Sequence, residues 1–313
     1  MSLRDVLAIV VLAGVCVSAM PALADDWDLC KDEKVTVEMS IAACTRAIDT
    51  KKFKTRPLST LYYNRAVSYR QQGDAERALF DYNAAILIDP KFEKPYNNRG
   101  NLWKEKGETE KALADYSDAI RQKPDYAYAL TNRADIYDDK GEIDRALTDL
   151  DQAIRADANY ARAYNLRGLV WKKKGNLDRA LADFNNAIRL DPKYHFAYSG
   201  RGLVLQEKGD YDRAIADFNE MIRLNPKSDV AYMRRALAWL KKGDTAAALR
   251  DVEQAIELDP KDPSNLMSRG AVMKALNRTN DAIVEYRKAI QLRPDPDRRK
   301  QAEQALLDLG VQP

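Results

Sequence analysis

Apolar residues recur with a period of 34 along residues 59–296, which divide into seven repeats of one pattern. Counted from Ser59, each repeat has an aromatic residue or Leu at position 4, a small residue at position 8 and a large one at position 11. Positions 20, 24 and 27 carry Ala, an aromatic or aliphatic residue, and Ala or Met. Each set of three falls on one face of an α-helix. We therefore predict two helices per repeat, near residues 60–72 and 76–89 in the first and then every 34 residues.

Turn-forming residues recur with the same period. Position 15, between the two helices, is Gly in six repeats and Asn277 in the seventh, as a left-handed turn requires, because Asn tolerates that conformation best after Gly. Position 32 is Pro in every repeat except the third, where it is Ala158, and Pro ends the second helix. No strand signal appears, and one hairpin is too small to be stable alone. The sequence therefore predicts an all-α solenoid of stacked helical hairpins.

One repeat, residues 161–194, shows the whole pattern without a gap. It has Tyr164, Gly168, Trp171, Gly175, Ala180, Phe184, Ala187 and Pro192 at the expected positions. This pattern resembles the tetratricopeptide repeat, and the resemblance extends over residues 59–296. It implies a right-handed superhelix whose concave side is built from positions 2, 5, 6, 9, 12 and 13 of the first helices. We call these positions the inner surface.

Two charged positions are constant in the seven repeats. Position 7 is always Arg and position 23 is always Asp or Glu. The arginines are Arg65, Arg99, Arg133, Arg167, Arg201, Arg235 and Arg269, and the acids are Asp81, Asp115, Asp149, Asp183, Asp217, Asp251 and Glu285. A half-buried guanidinium needs a carboxylate, so we predict ion pairs between first and second helices, within a repeat or across neighbours. A phosphate-binding stripe is the alternative, which the matched acids disfavour.

Residues 1–24 have the pattern of a signal peptide. Arg4 precedes an apolar or small run over residues 6–20, and Ala22-Leu23-Ala24 resembles a signal-peptidase site. The run is short for a membrane span. We expect cleavage after Ala24 and a periplasmic or secreted protein. The alternative is an uncleaved anchor, since Asp5 offsets the charge of Arg4.

The segment before the repeats, residues 25–58, is predicted to be an N-terminal cap. Residues 36–49 should form a helix that packs on the first repeat, and residues 54–57 should form a longer loop. Cys30 and Cys44 remain after signal cleavage, and an even count in an oxidising compartment favours a disulfide between them.

The segment after the repeats, residues 297–313, has apolar residues at helical spacing. They are Ala302, Ala305, Leu306 and Leu309. We predict a C-terminal capping helix that covers the last apolar face.

The sequence contains little that indicates chemistry. The net charge of +3 is small beside the 32% of charged residues, so charge alone does not favour nucleic acid or an anionic membrane as partner. The single histidine, His195, falls on a predicted turn and is expected at the surface. With Cys30 and Cys44 paired, no metal site is predicted, and no glycine loop for phosphate is found. We expect no cofactor, no metal, no catalytic residue and no enzymatic activity.

Asparagines are concentrated on the inner surface of the early repeats. They are Asn64, Asn97, Asn98, Asn101, Asn132 and Asn165. An asparagine side chain both donates to and accepts from a peptide backbone, so such a row can hold an extended chain. The alternative is that Asn is simply tolerated at exposed helix positions. A carboxylate clamp built around Lys94 is disfavoured, because Asp135, Asp138 and Asp139 would repel a C-terminal carboxylate.

The inner surface becomes apolar in the later repeats. Its residues there are Leu166, Leu169, Leu203, Met233, Leu237, Leu240 and Met267. Apolar patches containing Met are typical of sites for a partner helix. The alternative is that the chain's own next helices partly cover these side chains.

These features predict a non-catalytic scaffold or adaptor that binds an extended peptide or a partner helix. Two other functions stay open at this point. The chain could hold unfolded exported proteins, as a chaperone does, or associate with a second copy of itself through its apolar half. Weak binding to many unrelated unfolded peptides would distinguish a holder from a dedicated adaptor.

Overall fold

The computed structural model describes residues 26–312, so the predicted signal peptide lies outside the described residues. Within this range all regular structure is helical, which confirms the all-α prediction. The helices are α1 Asp26–Lys31, α2 Val37–Asp49, α3 Thr55–Gln71, α4 Ala75–Ile88, α5 Glu93–Glu105, α6 Thr109–Gln122, α7 Ala127–Asp139, α8 Ile143–Ala156, α9 Ala161–Lys173, α10 Leu177–Leu190, α11 His195–Glu207, α12 Tyr211–Leu224, α13 Asp229–Lys242, α14 Thr245–Leu258, α15 Pro263–Ala275, α16 Thr279–Gln291 and α17 Pro296–Leu307. None of these helices is both long enough and apolar enough to span a membrane.

The chain forms two compact units, which meet in sequence after Gly107. We call the described residues up to Gly107 the N-terminal part and those from Glu108 the C-terminal part. The N-terminal part contains α1 to α5, and the C-terminal part contains α6 to α17.

The turns between paired helices have the backbone that the sequence predicts. Gly73 has φ of 86°, and Asn277, which replaces Gly in the seventh repeat, has φ of 59°. Asp74 follows Gly73 and accepts a hydrogen bond from the backbone N–H of Arg77 at 2.9 Å, which caps the N-terminus of α4. The period of 34 therefore reflects a recurring left-handed turn and a new helix start.

The N-terminal part begins with a cap of two helices. A disulfide joins Cys30 of α1 to Cys44 of α2, and both residues are buried. Thr36 caps α2 by accepting from the backbone N–H of Met39 at 3.3 Å. Because α2 packs on both α1 and α3, it serves as a second helix placed before the first repeat.

The prediction of a longer loop over residues 54–57 was wrong, because α3 begins at Thr55. Pro57 lies in the first turn of α3, where its missing N–H would have had no partner within the helix. Arg56 forms an ion pair with Asp89 and donates to the carbonyl of Lys91 at 3.2 Å. The additional residues therefore lengthen a helix instead of forming a loop.

In the C-terminal part the second helices α8, α10, α12 and α14 each pack against the first helix of their own repeat and that of the next repeat. Phe184 on α10 shows how closely they fit. Its ring is fully buried, and a Cβ added at Gly168 on α9 would lie 2.9 Å from it. A Cβ at Gly200 on α11 would lie still closer. A larger residue at these positions of the first helices would therefore clash with an aromatic ring of a second helix.

The last helix, α17, covers the end of the seventh repeat. It packs on α15 and α16. Ala302 and Leu306 are fully buried, and Leu306 belongs to a cluster with Met273 and Tyr286. This burial removes apolar surface that the last hairpin would otherwise expose.

The constant charges form the predicted ion pairs in the first repeat and in the third to seventh repeats. Arg65 donates from Nε and Nη2 to the two carboxylate oxygens of Asp81 at 2.7 and 2.9 Å. These hydrogen bonds raise the pKa of Arg65 above its usual value. The same pairing joins Arg133 to Asp149, Arg167 to Asp183, Arg201 to Asp217 and Arg235 to Asp251, and Arg269 donates to Glu285 from one nitrogen. Each of these pairs lies within one repeat.

A further hydrogen bond, which was not predicted, extends from the same arginines to the preceding second helix. The Nη1 group of Arg65 donates to Thr45 on α2 at 3.1 Å, and that of Arg99 donates to Asn83 on α4 at 2.6 Å. The corresponding acceptors in the C-terminal part are Ser117, Asp151, Asn185 and Asn219. One arginine therefore connects its own helix to the second helices on both sides.

Candidate functional site

The inner surface of the N-terminal part contains four of the six asparagines. Asn98 donates to the hydroxyl of Tyr63 at 3.1 Å, and Asn97 donates to the side-chain oxygen of Asn98 at 3.0 Å. Burial raises the pKa of Tyr63, which keeps its hydroxyl protonated. Asn64 and Asn101 are half-buried, Asn64 on α3 and Asn101 on α5. Asn64 and Tyr63 line a groove of about 510 Å³ beside the cap.

The other two asparagines, Asn132 and Asn165, lie on neighbouring first helices of the C-terminal part, α7 and α9. Asn132 accepts a hydrogen bond from Nη1 of Arg162 at 2.7 Å. Asn165 is 6% exposed, and its side-chain oxygen has no hydrogen-bond partner among the described residues. The hydroxyl of Thr131, at the same position of the preceding repeat, is also buried without a partner. Buried polar atoms of this kind require a partner from outside the chain or an ordered water.

Three of the apolar residues meet in one groove. Met233, Leu237 and Met267 line a space of about 360 Å³, which α17 closes on one side with Ala305 and Arg298. All three are half-buried. The groove therefore offers flexible apolar side chains that the chain's own helices cover only in part.

The other four apolar residues are placed differently. Leu166 is 7% exposed and packs in the core formed by α7, α8 and α9, so it adds little to a surface. Leu169 is exposed, and Leu240 packs beside the core of α13, α14 and α15. Leu203 lines a separate groove of about 410 Å³ together with Lys172. The apolar surface is therefore smaller than the sequence pattern indicates.

Aromatic residues along the starts of first helices were not singled out from the sequence. The rings of Tyr128 and Tyr160 lie 4.9 Å apart, and those of Tyr194 and Phe196 lie 5.6 Å apart. Tyr128 and Phe196 are exposed, at 50% and 57%. Their signal in the sequence is the recurrence of aromatics at position 34 and at position 2, which belongs to the inner surface. The hydroxyl of Tyr160 accepts from Nη1 of Arg162 at 3.4 Å, the same group that donates to Asn132.

One charged residue of the inner surface, Arg234, was also missed. It occupies position 6 of the sixth repeat, where the first three repeats have Asn. Its side chain is half-buried, and burial lowers the pKa of its guanidinium. No hydrogen bond or ion pair satisfies it within residues 26–312. Arg234 was overlooked in the sequence because it lies next to Arg235, the constant arginine of position 7.

Within residues 26–312 no three His, Cys, Asp or Glu side chains are placed to hold a metal ion. His195 is the first residue of α11, where a turn was expected, and its ring lies 4.1 Å from that of Phe196. The inner surface therefore offers hydrogen bonds, apolar contact and positive charge.

Comparison with family models matches most of the repeat region. Models described as tetratricopeptide repeat match residues 59–92, 131–195 and 199–263, and a model described as TPR repeat matches residues 100–141. A search of curated proteins finds no match.

Solved structures with the same fold include a tetratricopeptide repeat protein from Parabacteroides merdae. Its TM-score is 0.63 at 22% identity, over 79% of this chain and 98% of that one. The protein pilF of Pseudomonas aeruginosa gives 0.59 at 18% identity, over 71% and 96%. The Cut9–Hcn1 hetero-tetramer of APC/C gives 0.66 at 17% identity, over 87% of this chain and 53% of that one. At these identities the likeness concerns the fold.

Proposed function

The chain belongs to the tetratricopeptide repeat family, and we propose that it is a non-catalytic scaffold that binds a peptide segment or partner helix on the inner surface. Proteins of this family generally mediate protein–protein interaction. Recognition of an extended peptide rests on its backbone groups and on pockets for alternate side chains. The inner surface supplies both kinds of contact.

The observation that carries this proposal is the unpartnered side-chain oxygen of Asn165. A peptide N–H could bond to this oxygen through a bridging water or after a rotation of the side chain, while the amide nitrogen of Asn165 donates to a peptide carbonyl. Thr131, also buried and unpartnered, lies on the neighbouring first helix. Each of these groups needs a hydrogen-bond partner, which a bound peptide or an ordered water supplies.

We propose that the scaffold acts in the periplasm or outside the cell. The disulfide between Cys30 and Cys44 supports this location, because disulfides persist in oxidising compartments. An exported scaffold would meet envelope proteins, secreted proteins or unfolded exported chains. The location is compatible with all of these partners, so the residues of the binding surface must determine which of them binds.

Site-specific photo-cross-linking in the producing cells tests the proposed surface. A photoreactive amino acid is introduced in separate variants at Asn98 and at Leu237, both on first helices. Matched control variants carry it at Phe80 on α4 and at Arg250 on α14, which are exposed on second helices.

We expect a discrete cross-linked partner band from at least one of the two first-helix positions and none from the controls. A smear of many bands from the first-helix positions would instead identify a holder of unfolded chains. Equal labelling from first and second helices, or no labelling from the first helices, would contradict the proposed surface.

A further inference from the structure

Arg234 is an exception among the arginines on the first helices of the C-terminal part. The others are Arg133, Arg162, Arg167, Arg201, Arg235 and Arg269, and each has a carboxylate within ion-pair distance. Arg234 is half-buried like them but has no ion pair or hydrogen bond within the described residues. A desolvated guanidinium without a carboxylate is unfavourable, so its presence calls for a partner from outside the chain.

The register of the repeats places Arg234 beside the apolar groove. Arg162, at position 2 of its repeat, donates to Asn132, at position 6 of the preceding repeat. The residue at position 2 in the repeat after Arg234 is Ser264, which lines the groove with Met233 and Met267. Arg234 directly follows Met233 on α13, so this register places Arg234 next to residues that line the groove.

The residues at equivalent positions next to Arg234 are small and uncharged. They are Gly200 in the fifth repeat and Ser268 in the seventh. Asp229, near the start of α13, accepts a hydrogen bond from the side chain of Asn265 at 3.1 Å and forms no ion pair with Arg234. Space and positive charge are therefore available together at this point of the inner surface.

We propose that Arg234 binds the carboxylate of an Asp or Glu within a partner segment whose neighbouring side chains are apolar and occupy the groove. This inference rests on the proposed function and names the chemistry of the partner. A carboxylate fits the planar fork of a guanidinium with two parallel hydrogen bonds. Burial of the pair excludes water and strengthens the attraction.

The position of the apolar residues favours an internal acidic residue over a free C-terminus. Leu203 lies in the repeat before Arg234, and Met267 lies in the repeat after it. A segment that contacts both continues on each side of the carboxylate. A phosphate group carries up to two charges and would call for a second unpaired cation, whereas Arg298, the other arginine at the groove, pairs with Asp295 at 3.3 Å.

A displayed library of random dodecapeptides, selected on the full chain, tests this inference. Three proteins are compared: the wild type, Arg234→Gln and Arg250→Gln. Arg250 is exposed on the second helix α14, so its variant makes the same change of charge away from the inner surface. Removal of an unpaired, half-buried charge should leave the fold intact. Thermal unfolding followed by circular dichroism is the control for this.

We expect peptides from the wild type and from Arg250→Gln to contain Asp or Glu flanked by apolar residues, and peptides from Arg234→Gln to lack the acidic preference. Peptides that bind the wild type without acidic enrichment, or an acidic preference that persists in Arg234→Gln, would overturn the inference but leave the proposed function intact. Failure of the wild type and of Arg250→Gln to select any peptide would overturn the proposed function as well.

Fluorescence anisotropy then measures how far binding of the best peptide depends on the contact between Arg234 and the acidic residue of the peptide. Arg234→Gln should weaken binding of the acidic peptide by about 30-fold or more, because one partner of a buried charge pair is lost. Binding of the same peptide with Gln in place of its acidic residue should change by less than about 3-fold. Equal losses for both peptides would show that Arg234 does not bind the carboxylate.

Discussion

Arg201 on α11 donates to both carboxylate oxygens of Asp217 on α12, from Nε at 2.9 Å and from Nη2 at 2.6 Å. Its remaining Nη1 donates to Asn185 on α10 at 2.7 Å. A single guanidinium therefore joins three helices from two successive repeats. Because equivalent contacts recur along the chain, the charged positions contribute to the stacking of repeats as well as to each hairpin.

Asp217→Asn should destabilise the chain substantially. Asp217 is 4% exposed, and its loss leaves the half-buried Arg201 without a carboxylate. We expect the free energy of unfolding in urea to fall by about 3 kcal/mol.

Asp178→Asn is the matched control, because Asp178 pairs with Lys208 at 2.7 Å but has a side chain 85% exposed. Its stability should equal that of the wild type within error, since exposed ion pairs contribute little. Equal effects of the two substitutions would contradict a stacking role for the arginines.

Asn277→Gly should stabilise the seventh repeat. Asn277 is exposed with φ of 59°, a conformation that Gly adopts without a steric penalty. We expect a gain of about 0.5 kcal/mol in urea unfolding, and Asn277→Ala should lose about 1 kcal/mol. Asn280→Gly is the control, because Asn280 lies within α16, where Gly lowers stability. A loss of stability in Asn277→Gly would contradict the strain at this turn.

Reduction of the disulfide should loosen the cap. Cys30 and Cys44 close a short loop, and its release should cost about 3 kcal/mol in the unfolding of the N-terminal part. Trypsin cleavage at the exposed Lys31 and Lys34, followed by mass spectrometry, reports this opening.

A double variant, Cys30→Ala with Cys44→Ala, serves as the control for the reductant. It should be cleaved rapidly with or without reductant, whereas the wild type should be cleaved rapidly only after reduction. Cleavage of the oxidised wild type at the same rate as the double variant would show that the disulfide does not hold the cap.

Stability should fall at alkaline pH because of buried tyrosines. Burial raises the pKa of Tyr82 above its usual value, so this hydroxyl stays protonated in the folded chain when it ionises in the unfolded chain. The unfolded state then binds fewer protons, and stability decreases as pH rises above about 10.

Tyr82→Phe tests this prediction. Near pH 7 its free energy of unfolding should lie within about 1 kcal/mol of wild type, because the buried hydroxyl of Tyr82 has no hydrogen-bond partner among the described residues. Above about pH 10 it should lose less stability than wild type, measured by urea unfolding at each pH. An identical alkaline loss in the two proteins would exclude a contribution from Tyr82.

Much of the fold was predictable from periodicity. The recurring helices, the left-handed turn at Asn277 and the pairing of Arg65 with Asp81 follow from residues that recur every 34 positions. Each has a strong local cause: helical spacing, a backbone conformation or a charge that needs a partner. The helical start of α3 at Thr55 was missed because the residues before Ser59 lie outside the repeat pattern, although the first turn of a helix tolerates Pro57.

The candidate site was less predictable, because burial between helices depends on packing. Leu166 and Leu169 look alike in sequence, yet Leu166 is buried and Leu169 is exposed. Asn185 and its equivalents at position 25 carry small polar side chains in most repeats, but only the structure shows that an arginine donates to them. That Arg234 lacks a carboxylate partner could be recognised only from the structure.

The most direct test of the account is NMR of methionine methyl groups and asparagine side-chain amides in the full chain. The chain is titrated with an acidic, apolar peptide selected from the library. We expect shifts for Met233, Met267 and the amide of Asn165, all on first helices. Met39 on α2 and the buried Met221 on α12 should stay unchanged. Binding that shifts Met39 or Met221 while Met233 and Met267 do not move would contradict recognition on the inner surface.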